Sequence, residues 1–238
     1  MNPIDAPISQ FFSSLEAQHR ALTSVFSVLA NSYFFRGQII FLMFWWVWFT
    51  PGEERVERRR VLVAALVACL IGLAVGRVMV STLPLRLRPS ENSAFHFSVP
   101  ALSRPGAPES SFPSDHAILF VALASGMFLA SRRVGSLALA YVTTLICFPR
   151  LWLGFHFFTD LLAGAVIGAG LVLLFNHPKL RAAVSGPLLS LLETKPHLFY
   201  AALFLLSYQV AAMFDPLRDF LAYLHHHVVP LAVSFLGH

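Results

Sequence analysis

The sequence has little charge, and this scarcity excludes an ordinary soluble protein. Asp, Glu, Lys and Arg make up only 12% of its 238 residues, whereas a soluble globular domain carries about 25%. Hydrophobic residues make up 57%, and the mean hydropathy is +0.69. Long apolar runs with so few charges are typical of an integral membrane protein.

Cysteines, acidic clusters and a leader sequence are also scarce or missing. Only two cysteines occur, Cys69 and Cys147, and both lie inside apolar runs, which favours buried side chains over a disulfide or metal site. No Asp/Glu cluster suited to magnesium is visible, so we expect no metal and no cofactor. The first 30 residues lack a basic segment ahead of a compact apolar core, and we expect no cleavable signal peptide.

The apolar runs predict an all-α fold, a polytopic membrane helix bundle of about six transmembrane helices. The candidate spans are residues 33–50, 61–83, 114–130, 134–148, 157–175 and 198–214. Crossing a bilayer takes about 17–25 residues, and the fourth span is at the short limit. We take residues 33–214 as the transmembrane domain, with residues 1–32 before it and a C-terminal interfacial tail of residues 215–238 after it.

The two terminal segments differ from the spans. In residues 1–32, apolar side chains recur at spacings of three and four with polar ones between. This pattern predicts an amphipathic helix lying in the membrane interface, with a true span as the alternative. In the tail, His225, His226 and His227 would point in different directions on a helix, so we interpret them as interfacial residues and not as a metal site.

Basic residues fall mainly in short loops between the apolar runs. The net charge of +5 and the pI near 9.7 therefore indicate topology, and we expect no nucleic-acid partner. Residues 51–60, 131–135 and 177–196 carry most of this charge and would be cytoplasmic. All three polar motifs described below then lie on the opposite face, which in a bacterial inner (cell) membrane is the periplasm or exterior.

The third of these motifs carries the strongest signal. Arg150 is followed by His156 and Asp160, which are four residues apart and share one helix face. A carboxylate bonded to one imidazole nitrogen fixes the tautomer and leaves the other nitrogen free to attack. The alternative interpretation is interfacial anchoring with a snorkelling arginine, but an aspartate inside a span is costly and usually functional.

The other two motifs offer phosphate ligands and an acid. Ser114, Asp115 and His116 open an apolar run, where helix N-termini bind anions and a histidine could protonate a leaving oxygen. Arg86 and Arg88 follow the second span, and their guanidinium groups could grip phosphate or contact lipid headgroups. Arg77, deeper in that span, is interpreted as snorkelling, with site lining as the alternative.

Together the three motifs resemble the signature of the type 2 phosphatidic acid phosphatase superfamily. The match covers residues 61–175 and includes Arg88, Arg150, His156 and Asp160 at the expected spacings. Asp115 stands where the family has glycine, and Pro149 where it has serine. Ser81 stands where the family has lysine, and Arg86 is our candidate for the missing charge.

The resemblance implies a mechanism and a substrate class. His156 would be the nucleophile, forming a phosphohistidine, Asp160 would orient it, and His116 would protonate the leaving group. Phosphoryl oxygens would be held by Arg88, Arg150, Ser114, Arg86 and the backbone of Asp115. The substrate would be a lipid phosphate, with undecaprenyl diphosphate as the first candidate.

Several alternatives stay open at this point. Phosphatidylglycerophosphate, phosphatidic acid and lipid A phosphates are other possible substrates. A lipid phosphotransferase is a second enzyme class, and a non-catalytic lipid-binding or transport subunit is the non-enzymatic one. The loop of residues 90–111 is predicted to cover the site.

Overall fold

The computed structural model describes residues 3–98 and 110–224, and these residues form helices and no strand. The helices are α1 (Asp5–Gln18), α2 (Arg20–Asn31), α3 (Ile39–Phe49), α4 (Arg55–Thr82), α5 (Asp115–Ala130), α6 (Arg132–Tyr141), α7 (Phe148–Trp152), α8 (Phe158–Phe175), α9 (Pro178–Thr194), α10 (Pro196–Ala211) and α11 (Asp215–Leu224). π-helical turns at Phe34–Gln38 and Val142–Cys147 precede α3 and α7. The prediction of an all-α membrane protein is confirmed.

The number of spans is close to the prediction but not identical. Within the described ranges, α4, α8 and the continuous Arg132–Trp152 segment are long and apolar enough to cross a membrane. Two bent pairs raise the count to five, namely α2 with Phe34–Phe49 (64°) and α10 with α11 (88°). Helix α5, the predicted third span, has 16 residues and is shorter than α8, which has 18 residues and is the shortest of these three. Six is therefore an approximate count.

Two sequence-based boundaries need correction. The predicted fourth span, 134–148, continues to Trp152, because a π-helical turn changes the hydrogen-bonding step just before Pro149, which has no N–H to donate. Residues 177–196, treated as a charged loop, contain α9, which begins at Pro178, a residue preferred in the first helical turn. Helix α9 packs against α4 and α10.

Helix α5 is the centre of the bundle and lies against α4 and α8. Glycines of α8 allow a close approach: a Cβ on Gly164 would lie 2.6 Å from the Ser114 carbonyl oxygen, and one on Gly168 would lie 2.3 Å from that of Ile118. Small residues at such crossings let membrane helices pack backbone to backbone. This packing brings the first turn of α5 beside the first turn of α8.

The N-terminal segment is two helices and not one, since the chain breaks at His19. Helix α1 buries the polar residues Asp5, Ser9 and Glu16. It exposes both apolar and polar residues, such as Phe11 and Gln10, and its Phe12 packs against Trp152. The domain boundaries at residues 32 and 214 stay predictions, and His225–His227 lie outside the described residues.

Candidate active site

A cavity of about 440 Å³ lies where the turn before α3 meets α4, α5, α7 and α11. Its volume is within the range of about 300–1,000 Å³ that is typical of small-molecule sites. The polar and charged residues that line it are Asn31, Tyr33, Arg36, Arg77, Arg88, Ser110, Asp115, His116, Arg150, His156, Asp215 and Arg218. Five arginines face two carboxylates, so these described lining residues carry a net charge of +3 with neutral histidines. Such a cavity attracts anions.

Five of the eight predicted site residues line this cavity: Arg88, Asp115, His116, Arg150 and His156. Ser114, Arg86 and Asp160 are close to it in the chain but are absent from its described lining. Asp160 links these three residues, since it accepts a hydrogen bond from the Arg86 side chain and one from the Ser114 N–H.

Backbone hydrogen bonds join the three motifs. The Ser111 N–H donates to the Arg86 carbonyl oxygen (2.8 Å), and the Ser114 N–H donates to that of Asp160 (3.2 Å). The Ser90 N–H donates to the Gly154 carbonyl oxygen (3.0 Å). Segments far apart in the sequence are therefore fixed at one end of the bundle.

His156 follows a tight turn in which Gly154 has a φ of +67°, a conformation that favours glycine. The Nδ1 atom of His156 lies 2.9 Å from the Ser111 carbonyl oxygen. A carbonyl oxygen only accepts, so Nδ1 carries the proton and Nε2 keeps its lone pair. Asp160 Oδ2 is 3.9 Å from Nδ1, too far for a hydrogen bond. His156 Nδ1–H thus donates to the Ser111 carbonyl oxygen and not, as expected, to the Asp160 carboxylate.

The environment of His156 keeps its imidazole neutral. Burial, with smaller contributions from the positive charges of Arg88 and Arg150, lowers the pKa of His156 to about 3. A neutral imidazole with a free lone pair can act as a nucleophile near pH 7.

Asp160 is held by the start of its own helix and by Arg86. Its Oδ2 accepts from the Phe157 N–H (2.8 Å), and its Oδ1 accepts from Arg86 Nη1 (2.5 Å). Arg86 also donates to Asp5 Oδ2 (2.5 Å). Its guanidinium thus bridges two fully buried carboxylates. It is committed to this bridge and not to the cavity, contrary to our expectation for the missing lysine.

Asp5 supports the start of α8 from α1, and no sequence motif pointed to this role. Its Oδ1 accepts from the Thr159 N–H (3.0 Å), one of the free donors at the start of α8. Its Oδ2 accepts from the Thr159 hydroxyl. Asp5 therefore ties α1 to the helix that carries Asp160.

Arg150 is buried and faces the cavity from α7. Its Nη1 donates to the Ile146 carbonyl oxygen in the π-helical turn (2.6 Å), and its Nη2 donates to that of Ala30 (3.4 Å). Ala30 lies in the last turn of α2, where carbonyl groups lack helical partners and attract cations. Two backbone carbonyls thus fix the direction of this guanidinium.

The three polar residues at the start of α5 have different roles. The Ser114 hydroxyl caps the helix by accepting from the Ala117 N–H (3.5 Å). Asp115 Oδ2 pairs with Arg77 Nη2 at 2.6 Å. His116 lines the cavity, and its buried Nε2 has no hydrogen-bond partner among the residues that the structure describes.

Arg77 lines the cavity, which was the alternative interpretation of this residue. It precedes Ser81 by four residues in α4 and so lies on the same helix face, one turn away. A cation is therefore present close to the position where the resemblance expects lysine.

Three further lining residues, Arg36, Asp215 and Arg218, were missed. Arg36 Nη2 and Arg218 Nη2 both donate to the Asp215 carboxylate, at 2.9 and 2.5 Å. Two signals in the sequence could have indicated them. Arg36 is a lone arginine near the start of the first apolar run, and Asp215 and Arg218 are an Asp–Arg pair, three residues apart, directly after the last apolar run.

Comparison with known proteins identifies the family. A model of the PAP2 superfamily matches residues 62–181, which is half of the chain. The chain belongs to the PAP2 superfamily. The matched range contains all three motifs of this member, whereas Asp5, Arg36, Asp215 and Arg218 lie outside it.

Two curated relatives of this PAP2 member are distant in sequence. Lipid A 1-diphosphate synthase of Escherichia coli (strain K12) is 28% identical over 172 residues, covering 69% of this chain and 71% of the relative. Bacitracin transport permease protein BcrC of Bacillus licheniformis is 27% identical over 173 residues, covering 72% and 79%. No solved structure matches the chain significantly.

Proposed function

We propose that this multi-pass membrane protein is a lipid phosphatase that works through a phosphohistidine at His156. The observation that carries the proposal is the neutral imidazole of His156. Its Nδ1–H is fixed by the Ser111 carbonyl oxygen at 2.9 Å, and the ring lines a cavity with five arginines. This combination supplies a nucleophile and a site for the phosphate that it attacks.

The reaction has two steps in this proposal. His156 Nε2 attacks the terminal phosphorus, the bond from phosphorus to the leaving oxygen breaks, and His116 gives that oxygen a proton. Water then attacks the phosphohistidine, loses a proton to His116, and releases inorganic phosphate and His156. Arg88 and Arg150 stabilise the charge on the transferred phosphoryl group.

The remaining predicted site residues act indirectly. Asp160, 3.9 Å from the ring, stabilises the positive charge that the imidazole acquires on phosphorylation. Arg86 holds Asp160, and Ser114 caps α5 so that His116 faces the cavity. Asp115 keeps Arg77 directed at the site through their ion pair.

The preferred substrate is a lipid diphosphate, with undecaprenyl diphosphate as the first candidate. The described lining residues of the cavity carry an excess of three positive charges with neutral histidines, and of four when His116 holds the proton that it donates, whereas a phosphate monoester carries about −1.5 to −2 at pH 7. A diphosphate balances this excess better. The site would face the periplasm or exterior of a bacterial inner membrane.

Phosphotransfer to a second lipid is the second candidate function. It is favoured by the relative named lipid A 1-diphosphate synthase, a name that describes the formation of a lipid diphosphate. The chemistry at His156 would be the same, and only the acceptor would differ.

A turnover panel with the purified protein in detergent tests the proposal. Undecaprenyl diphosphate, phosphatidylglycerophosphate, phosphatidic acid and a lipid A phosphate are compared, with and without chelator. We expect phosphate release that is fastest with the diphosphate, is insensitive to chelator and is absent in His156→Ala. Full activity in His156→Ala would refute the mechanism, and loss of activity in chelator would refute the metal-free reaction.

A further inference from the structure

A second cationic cluster lies on the cavity wall outside the family motifs. It consists of Arg36, in the turn before α3, and Arg218, in α11, which share the carboxylate of Asp215. Two guanidinium groups and one carboxylate leave a net positive charge. Arg36 lines the same cavity as His116 and Arg150.

The cluster retains unused hydrogen-bond donors. The buried Nε atoms of Arg36 and Arg218 have no hydrogen-bond partner within the described part of the chain. The Arg36 side chain is only 10% exposed, and a buried donor without a partner costs about 1–3 kcal/mol, more when it is charged. These Nε atoms are out of contact with solvent, but the guanidinium groups that carry them line the cavity and add positive charge to its wall, which suits an anionic ligand.

An apolar cavity of about 250 Å³ adjoins this cluster. Leu70, Leu73, Ala74, Met213 and Phe214 line it together with Arg77 and Arg218. Arg77, Met213 and Arg218 line both cavities. A molecule with an apolar chain and an anionic head could therefore occupy both, with its first charged group beside Arg218.

The wall between the two cavities has an unusual backbone. Met213 and Phe214 have φ values of 55° and 60°, which are uncommon for bulky side chains. Arg218 Nη2 donates to the Met213 carbonyl oxygen at 2.7 Å. Strained conformations of this kind concentrate at ligand sites and are held in place by their surroundings.

We propose that Arg36 and Arg218 form a second anion subsite that binds the lipid-linked phosphate of a lipid diphosphate. The lipid chain starts in the adjoining apolar cavity, and the terminal phosphate faces His156. This inference rests on the proposed function and deepens it by assigning the residues that recognise the second phosphate.

A lipid diphosphate bound in this way would be cleaved between its two phosphorus atoms. His156 Nε2 forms a bond to the terminal phosphorus, and the bond to the bridging oxygen breaks. The lipid monophosphate leaves with that oxygen and a proton from His116. The charge that develops on the leaving phosphate would be stabilised by Arg36 and Arg218, which gives the subsite a role in both binding and turnover.

The test compares hydrolysis of undecaprenyl diphosphate with that of undecaprenyl monophosphate. The variants are Arg36→Gln, Arg218→Gln and Asp215→Asn, and Arg20→Gln, at an exposed position of α2, is the matched control. We expect Arg218→Gln and Arg36→Gln to lower kcat/KM for the diphosphate about 10- to 100-fold, the range for a charged hydrogen bond. For the monophosphate, kcat/KM should fall less than about threefold, which is a smaller effect than the loss of one such hydrogen bond would cause.

Asp215→Asn separates ligand binding from a purely structural role. Loss of this carboxylate makes the subsite more positive, so kcat/KM for the diphosphate should be retained or increased. If all three variants lower turnover of both lipids alike, the cluster is structural and the inference is wrong. Thermal unfolding in detergent shows whether each variant is folded. For a folded but inactive Arg36→Gln or Arg218→Gln variant, binding of inorganic pyrophosphate, measured by isothermal titration calorimetry, should be weaker than in the wild type; unchanged binding would overturn the inference.

Two further outcomes distinguish this inference from the proposed function. If the wild-type protein hydrolyses neither lipid, the proposed function fails. If Arg218→Gln keeps diphosphate hydrolysis but loses transfer to an added lipid phosphate acceptor, the second anion belongs to the acceptor, and the subsite as stated is refuted.

Discussion

Arg86 and Arg88 are two residues apart, yet the structure predicts different consequences for their loss. Arg86 donates to Asp160 and Asp5, both fully buried, and to Thr159 Oγ1 at 3.0 Å. Arg88 lines the cavity and would meet the phosphate. We therefore expect Arg86→Gln to lower stability and kcat, and Arg88→Gln to raise KM and to lower kcat and kcat/KM with a smaller effect on stability.

The size of the Arg86 effect follows from its contacts. A hydrogen bond between charged groups contributes about 1.5–3 kcal/mol, and two of these bonds end on carboxylates that would remain buried without their cation. The side chain is 27% exposed, so water compensates in part, and we expect a loss of about 3 kcal/mol. At about 2–4 °C per kcal/mol for a chain of this size, Tm should fall by about 6–12 °C.

The measurement is thermal unfolding in detergent combined with steady-state kinetics on a lipid diphosphate. Arg88→Gln is the matched control, with a smaller shift in Tm and a fall in kcat/KM of about 100-fold, the scale of one lost transition-state donor. If Arg86→Gln kept its Tm and raised KM as Arg88→Gln does, Arg86 would be a phosphate ligand and the bridge would have no importance.

Two other predictions follow from the packing and the electrostatics. Gly168→Ala should lower Tm, because its Cβ would lie 2.3 Å from the Ile118 carbonyl oxygen. Gly170→Ala is the control: its Cβ would have free space, and the better helix propensity of alanine should raise Tm. Equal shifts in Tm would contradict the close contact between α5 and α8. The pKa of His156 is about 3 in the folded protein and about 6.5 when unfolded, so the unfolded state binds more protons as pH falls below 6.5 and stability is lost. His156→Gln should lose less Tm than the wild type between pH 7.5 and 4.5, and an equal loss would contradict a buried neutral imidazole.

Sequence patterns were sufficient for the fold class and for the residues that share local spacing. Low charge and long apolar runs predicted the helical membrane fold, and local spacing predicted that Arg150 and His156 lie together. These properties depend on composition and on neighbours within a few residues, which a sequence displays directly. The place of His116 beside them was predicted from the loop charges and the family resemblance.

Long-range contacts were not predictable in the same way. Asp5 pairs with Arg86 across 81 positions and Arg36 with Asp215 across 179, and no local pattern specifies such partners. The hydrogen-bond partner of His156 was also missed, because it is a backbone carbonyl oxygen, that of Ser111. Every residue has such an oxygen, so the spacing of side chains does not indicate which one accepts the bond. Arg77 was undervalued because the spacing of the family motif directed attention to Ser81.

A phosphoenzyme trapping experiment tests the central claim most directly. Purified protein is mixed with a lipid diphosphate labelled at the terminal phosphate and quenched within one turnover. The account predicts an acid-labile, alkali-stable label on His156 in the wild type and no such label in His156→Ala. Label on another residue, or rapid turnover in His156→Ala, would contradict it.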